Sequence, residues 1–125
     1  MPDFIAEFDN VTLANSSGAT WENGRIVAAP DGRAAIVEGL AGIKNGATGR
    51  GRVQGVVRCD KAGATVIAAN DRLQITTNTT PQLVTVKATG AADANNILLG
   101  RARAAAGSGP TSVEVVLNGT GLTPV

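Results

Sequence analysis

Short segments in which apolar and polar residues alternate, separated by turns rich in glycine and proline, make up most of this 125-residue chain. The alternation is clearest over Ser112–Leu117 and Gln82–Ala88, where every second position is aliphatic. A third strand is expected around Leu73, and an apolar stretch ends at Gly100. An alanine-rich connector follows, and Gly107–Pro110 turns the chain before the last alternating segment. Period-two patterning with this punctuation predicts short β-strands and few helices.

The first half of the chain predicts a β-hairpin over Arg25–Gly39. Pro30–Arg33 reads Pro-Asp-Gly-Arg, in which proline presets φ, aspartate bonds back to its own backbone and glycine accepts positive φ. The next segment, Lys44–Gly51, is so rich in glycine that a loop is predicted there. Arg52–Cys59 is predicted as one strand, with Gly55 marking a bulge.

Composition predicts one domain with a core of small aliphatic side chains. The chain has two Phe, one Trp and no Tyr, but sixteen Gly, so valine, isoleucine, leucine and alanine must form the interior. With few large side chains the stability margin is small, and we expect association with further copies to add to it. The formal net charge of +1 gives the whole chain no field that would attract nucleic acid or an anionic membrane.

The charges are nevertheless unevenly distributed along the chain. Four acidic side chains and no basic ones precede Arg25: Asp3, Glu7, Asp9 and Glu22. The interval from residue 44 to residue 61 has one acidic side chain, Asp60, and five basic ones: Lys44, Arg50, Arg52, Arg58 and Lys61. These runs are either ordinary solvated loops or complementary patches, one of which meets the other on a neighbouring subunit.

The sequence holds little that could carry catalysis, so we expect no enzyme, no metal and no cofactor. Histidine, the usual general base and commonest metal ligand, is absent. Cys59 is the only cysteine, and its place in a predicted strand indicates a buried structural thiol. Gly46–Gly51 lacks the Gly-Lys-Ser/Thr ending of a phosphate-binding loop. The neighbouring arginines lack aromatic residues for base stacking, so no nucleic-acid partner is predicted.

The N-terminal region differs from the rest of the chain. Residues 1–23 are predicted to form an N-terminal arm or a first strand, residues 24–119 a β domain, and residues 120–125 a C-terminal tail. Phe4 and Phe8 lie in the acidic N-terminal segment, and Trp21 follows; each is either part of the core or an anchor at an interface. No signal peptide and no run of about 20 apolar residues is evident, so a cytoplasm-like environment and no membrane partner are expected.

Four stretches of the sequence resemble the small capsid cement, or head decoration, proteins of tailed bacteriophages. The first runs from Ile26 to Leu40, and the second is Ile43–Val57, which includes Lys-Asn-Gly-Ala-Thr-Gly-Arg-Gly-Arg-Val-Gln-Gly-Val. The third is Ala62–Leu73, in which Asn-Asp stands where the family usually has Gly-Asp. The last is Leu99–Gly119, with Leu-Gly-Arg-Ala-Arg-Ala-Ala-Ala followed by Val-Glu-Val-Val-Leu. Residues 1–23 have no clear counterpart in the family.

This resemblance implies an all-β fold, namely a small single-domain β-sandwich or β-barrel-like (β-tulip-like) module with short strands and many glycine turns. It implies a virion structural protein that is made in the host cytoplasm and binds the outside of an assembled capsid, commonly as a homotrimer. The partners would be the major capsid protein and further copies of the chain. The sequence alone leaves one alternative open, a receptor- or carbohydrate-binding β domain, although such sites need aromatic rings on which sugars stack.

The residues expected at capsid or subunit interfaces are the aromatic side chains and the basic run. They are Phe4, Phe8, Trp21, Lys44, Arg50, Arg52 and Arg58.

Overall fold

The computed structural model describes residues 10–118, which form nine β-strands and no helix. In chain order the strands are β1 (Asn10–Ala14), β2 (Ile26–Ala28), β3 (Ala34–Glu38), β4 (Thr48–Arg52), β5 (Val56–Asp60), β6 (Arg72–Thr76), β7 (Val84–Val86), β8 (Asn96–Ala102) and β9 (Ser112–Leu117). They build a four-stranded sheet in the order β1-β4-β3-β2 and a five-stranded sheet in the order β5-β9-β8-β6-β7. All strand pairs are antiparallel. The predicted all-β fold is confirmed as a small, sandwich-like arrangement of two sheets.

Alternate residues of the four-stranded sheet enter two separate hydrophobic clusters. Ile26 and Ala34 point towards the five-stranded sheet and join its inward-facing side chains, such as Leu73, Leu99 and Val115. Their neighbours along the chain point the other way and join a second cluster. That cluster consists of Leu13, Val27, Ala29, Ala35, Val37, Ile43 and Val53. The four-stranded sheet is therefore buried on both faces at β2 and β3, and small aliphatic side chains fill the interior, as predicted.

Several predicted elements are confirmed. The hairpin over Arg25–Gly39 is the β2–β3 pair, and Gly32 in its turn has a φ of 89°. The turn at Asn70-Asp71 leads into β6, and Asn70 has a φ of 68°. Asparagine therefore takes the left-handed conformation at this turn. The strands predicted around residue 73 and over residues 82–88 and 112–117 correspond to β6, β7 and β9.

The loop predicted over Lys44–Gly51 is wrong in its second half. Thr48–Arg52 forms β4, which lies between β1 and β3 in the four-stranded sheet. A Cβ atom on Gly49 would lie 2.5 Å from Cγ1 of Ile43, and one on Gly51 would lie 2.5 Å from Cδ1 of Leu13. The two glycines thus make room for large side chains that cross the strand. Tertiary packing overrides the low strand propensity of glycine here.

The single strand predicted over Arg52–Cys59 is also wrong, because the chain changes sheets within it. β4 ends at Arg52 and β5 begins at Val56 in the five-stranded sheet. Gly55 has a φ of 121°, a conformation that favours glycine, and its carbonyl accepts a 2.8 Å bond from the Leu117 N–H. Gly55 is therefore a connector between the sheets and not a bulge within one strand.

Part of the predicted N-terminal segment lies inside the four-stranded sheet. Asn10–Ala14 is β1, which pairs with β4 along its whole length, and Leu13 is 1% exposed. Asn15, directly after β1, is also buried, and its side-chain amide donates to the carbonyls of Ala19 and Ile43, each at 2.7 Å. Residues 1–9 and 119–125 lie outside the described residues.

Two side-chain amides connect the sheets where backbone ladders end. The Asn118 amide accepts from the Ala34 N–H and donates to the carbonyls of Ala34 and Val53, at 3.2, 2.8 and 2.9 Å. The Gln82 amide accepts from the Ile26 N–H at 2.9 Å and donates to the Ile26 carbonyl at 2.7 Å. Each amide therefore bonds backbone groups of the four-stranded sheet at a point where no neighbouring strand pairs with them.

Candidate functional site

Two features of the described residues bear on chemistry: the absence of a metal-ligand cluster and the state of Cys59. Within residues 10–118 no group of three or more His, Cys, Asp or Glu side chains could hold a metal ion. Cys59 is 6% exposed, and burial, together with the neighbouring Asp60 charge, raises the pKa of its thiol to about 12. A thiol with this pKa stays protonated and unreactive at neutral pH. The predicted burial of Cys59 is confirmed. The same part of the chain contains no helix able to cross a membrane.

Two shallow surface depressions flank Arg58. The first, of about 210 Å³, lies between the sheets and includes Arg25, Asp60 and Gln82 in its lining. The second, of about 230 Å³, is bounded by the alanine connector 104–106 and by Glu114. Both are smaller than the pockets that enclose drug-sized ligands. Neither depression is therefore large enough to enclose a drug-sized ligand.

Arg50 and Arg52 lie together on one face of the four-stranded sheet. Arg50 is opposite Thr12 on β1 and Glu38 on β3, and Arg52 is opposite Ile36. Arg52 forms an ion pair with Glu38 at 2.9 Å, which contributes little stability because both groups are partly solvated. Arg50 is exposed and forms no ion pair with residues 10–118.

The other two predicted basic residues do not join this pair. Lys44 is exposed in the turn that precedes β4, at the opposite end of that strand from Arg52. Arg58 lies on β5, in the other sheet, and forms a 3.2 Å ion pair with Glu114. The basic run of the sequence is therefore distributed over two sheets. Lys61 is buried instead, and its ammonium donates to the carbonyls of Ala62, Thr65 and Gly107.

The outward face of the five-stranded sheet carries a concentration of arginines that spans four strands. Strand register sets one row across it: Arg72 is opposite Arg101, Arg101 is opposite Val116, and Val116 is opposite Val56. A second row lies beside it, in which Glu114 forms ion pairs with Arg58 and Arg103 at 3.2 and 3.4 Å. We call this surface the arginine face. It comprises Val56, Arg58, Arg72, Arg101, Arg103, Glu114 and Val116.

Of the three aromatic candidates, only Trp21 lies within the described residues. Trp21 is half-buried, packs against the second hydrophobic cluster and forms a two-residue bridge with Ile43 through backbone bonds of 2.8 and 2.9 Å. It therefore covers part of the core. Phe4 and Phe8 lie outside the described residues.

Charge runs along the sequence do not reveal Arg72, Arg101 and Arg103. Arg72 on β6 is far along the chain from Arg101 on β8 and from Arg103, which directly follows β8, and only the β6–β8 pairing brings Arg72 next to Arg101. The alternation of inward- and outward-facing strand positions does indicate where two of them lie. Arg72 precedes the buried Leu73, and Arg101 precedes the buried Ala102. Residues next to buried strand positions point outwards, so both arginines could have been assigned to the outer face.

Comparisons with protein-family models, with curated proteins and with solved structures gave no match to this chain.

Proposed function

We propose that this protein is a virion structural protein, a capsid cement protein that binds the outside of an assembled phage capsid. It stabilises the shell by non-covalent clamping of major capsid subunits, and it acts as a homo-oligomer, with a trimer as the expected state. Its work is binding and not catalysis. The observation that carries this proposal is the resemblance of residues 24–119 to the glycine and valine motifs of the cement family.

The glycines of the second motif stretch support the proposal because each has a distinct backbone role. Gly46 and Gly55 have φ values of 88° and 121°, which L side chains rarely adopt. Gly49 and Gly51 leave space for Ile43 and Leu13. Each glycine in the motif either adopts a positive φ or leaves space for a neighbouring side chain. The spacing of the glycines therefore constrains the path of the backbone. A sequence that reproduces it is expected to share the fold of the family whose motif it carries.

Two separate charged surfaces suit a protein that clamps several partners. Arg50 and Arg52 lie on the four-stranded sheet, and the arginine face lies on the other sheet. Leu40, in the turn after β3, is 99% exposed and adds an apolar side chain two residues beyond Glu38. We assign Arg50, Arg52 and Leu40 to contact with an acidic region of the capsid. Several modest contacts made at once give strong retention.

Co-sedimentation with capsid shells tests the proposed function. Shells assembled from the major capsid protein of the same genome are mixed with the purified chain and centrifuged. We expect the chain to pellet with assembled shells and to remain in solution with unassembled capsid subunits. Decorated shells are expected to withstand heating that disrupts bare shells, because cross-subunit contacts must break first.

A variant pair makes this experiment specific to the assigned surface. Arg50→Glu/Arg52→Glu should reduce the shell-bound fraction and weaken its dependence on salt. Arg33→Glu is the control, since Arg33 lies in the β2–β3 turn and pairs locally with Asp31. Absence of the wild-type chain from the shell pellet under all salt conditions would refute the proposal. Equal binding by the double variant and the control would refute the assigned surface.

A further inference from the structure

Two segments that connect strands lie side by side at one end of the five-stranded sheet. Residues 62–70 lie between β5 and β6, and residues 104–111 lie between β8 and β9. Ile67 and Ala106 form a two-residue bridge between them through backbone bonds of 2.9 and 2.8 Å. Both side chains of the bridge are buried, so the side chains next to them in the chain point outwards. We call the outward side of these two segments the connector surface.

A buried lysine fixes the shape of the connector surface. Lys61 is 2% exposed, and its ammonium donates to the carbonyls of Ala62, Thr65 and Gly107 at 3.2, 2.7 and 2.9 Å. Two of these carbonyls belong to the first segment and one to the second, so a single cation holds both segments. Burial of a charge is costly unless hydrogen bonds compensate it, and three acceptors do so here. The surface therefore has one shape before a partner binds, which lowers the entropy cost of binding.

The connector surface has no charged side chain. Neither segment contains an Asp, Glu, Lys or Arg, although the chain has 11 basic and 10 acidic residues. The centres of protein interfaces are depleted of charge in the same way. In a ring of identical copies, residues near the symmetry axis approach their own counterparts, so a charge there would repel itself. A neutral surface therefore suits a second copy better than the acidic capsid region assigned to Arg50 and Arg52.

The connector surface carries both an exposed apolar side chain and a depression. Val66 is 64% exposed and directly precedes the buried bridge residue Ile67. Residues 104–106 and Pro110 form the apolar part of the depression of about 230 Å³ that also includes Arg58 in its lining. This depression is too small for a drug-sized ligand but has room for one aliphatic side chain. The surface is therefore self-complementary, because the valine of one copy can fill the depression of the next.

We propose that Val66 of one copy enters the alanine-lined depression of the next copy, so that the connector surfaces join the copies in a ring. This inference rests on the proposed homo-oligomer and specifies the contact that builds it. A contact between a side chain and a different site on the next copy is head-to-tail, and such contacts close into rings such as trimers. Arg58 and Glu114, which also line the depression, pair with each other at 3.2 Å and belong to the polar rim of the contact.

Sedimentation velocity of two full-length variants tests the proposal. Val66→Asp places a carboxylate on the side chain that enters the contact, and Ala105→Asp places one in the depression. The wild type should have the mass of several chains, and each variant alone the mass of one chain, with association weakened about tenfold or more. An equimolar mixture should give the mass of two chains. In that mixture the valine of the Ala105→Asp chain fits the unchanged depression of the Val66→Asp chain, while the ring cannot close.

Matched substitutions at exposed sites outside the connector surface are the controls. Val56→Asp and Ala91→Asp add the same charge and should keep the wild-type mass. Val56 is 48% exposed on β5, at the opposite end of that strand from Lys61, and Ala91 is exposed between β7 and β8. Circular dichroism establishes whether each variant folds. If Val66→Asp does not fold, Val66→Ser replaces it and should still lower the mass.

Several results would overturn the proposed contact. They are a monomeric wild type, a folded Val66→Asp or Ala105→Asp variant with the wild-type mass, a mixture without the two-chain species, and an equal loss of mass in Val56→Asp. Shell binding is measured separately by co-sedimentation. A monomeric wild type that pellets with shells would overturn this contact alone, and an oligomeric wild type that does not pellet would overturn the capsid function alone.

Discussion

At the scale of single residues, Asn118 substitutes for a missing strand. β4 pairs with β3 as far as Arg52 opposite Ile36 and then leaves the sheet. The backbone groups of Ala34 would lose their partners there, and the Asn118 amide bonds both of them while also reaching the Val53 carbonyl. Asn118 has a φ of 50°, which asparagine tolerates better than most residues. One side chain thus connects β3, the end of β9 and the crossover between the sheets.

We predict that Asn118→Gly lowers the free energy of unfolding by about 2–4 kcal/mol, because three hydrogen bonds are lost and partly buried backbone groups stay unsatisfied. Glycine keeps the positive φ accessible, so the loss reports on the amide and not on backbone strain. Asn95→Gly is the matched control: Asn95 has a φ of 66° and is exposed. Denaturant unfolding measures both variants, and equal stabilities would contradict the bridging role.

At the scale of elements, β4 shows how packing can make a strand from a glycine-rich segment. Its sequence, Thr-Gly-Arg-Gly-Arg, has low strand propensity. Gly51 nevertheless lies between Val11 on β1 and Val37 on β3, and the Leu13 side chain covers it. The strand is stabilised by what its neighbours pack over it. We infer that the absence of side chains at positions 49 and 51 is required for the core beneath Ile43 and Leu13.

Gly51→Ala is expected to destabilise the protein by about 1–3 kcal/mol, the usual cost of overpacking. The added Cβ would lie 2.5 Å from Cδ1 of Leu13 and 3.1 Å from Cβ of Ala35. Gly107→Ala provides the comparison, because a Cβ at Gly107 meets nothing within 4 Å. That variant should leave stability unchanged within about 0.5 kcal/mol or raise it slightly. Thermal unfolding of both variants measures the difference, and a tolerated Gly51→Ala would show that the strand does not depend on this close contact.

A comparison of these elements shows which features of the fold can be predicted from the sequence. Strands with a regular apolar face, such as β9 and the β2–β3 hairpin, were predictable because alternation and turn residues are local signals. β4 was not, since its strand character comes from Leu13 and Ile43 elsewhere in the chain. The arginine face was missed for a related reason: Arg72 and Arg101 become neighbours only when β6 pairs with β8.

At the scale of the whole molecule, the two sheets present two different charged surfaces. The four-stranded sheet exposes Arg50 and the Arg52–Glu38 pair, and the five-stranded sheet exposes the arginine face. In our account the first surface contacts the capsid, and several weak contacts of this kind made at once in one assembly give strong retention.

Cryo-electron microscopy of the complete particle tests the central claim most directly. The account predicts density for a two-sheet β domain on the outer surface of the shell, repeated around a symmetry axis and in contact with more than one major capsid subunit. Within that density, Arg50 and Arg52 should lie towards the capsid. An outer surface without this domain, or the domain located in the tail or inside the shell, would contradict the account.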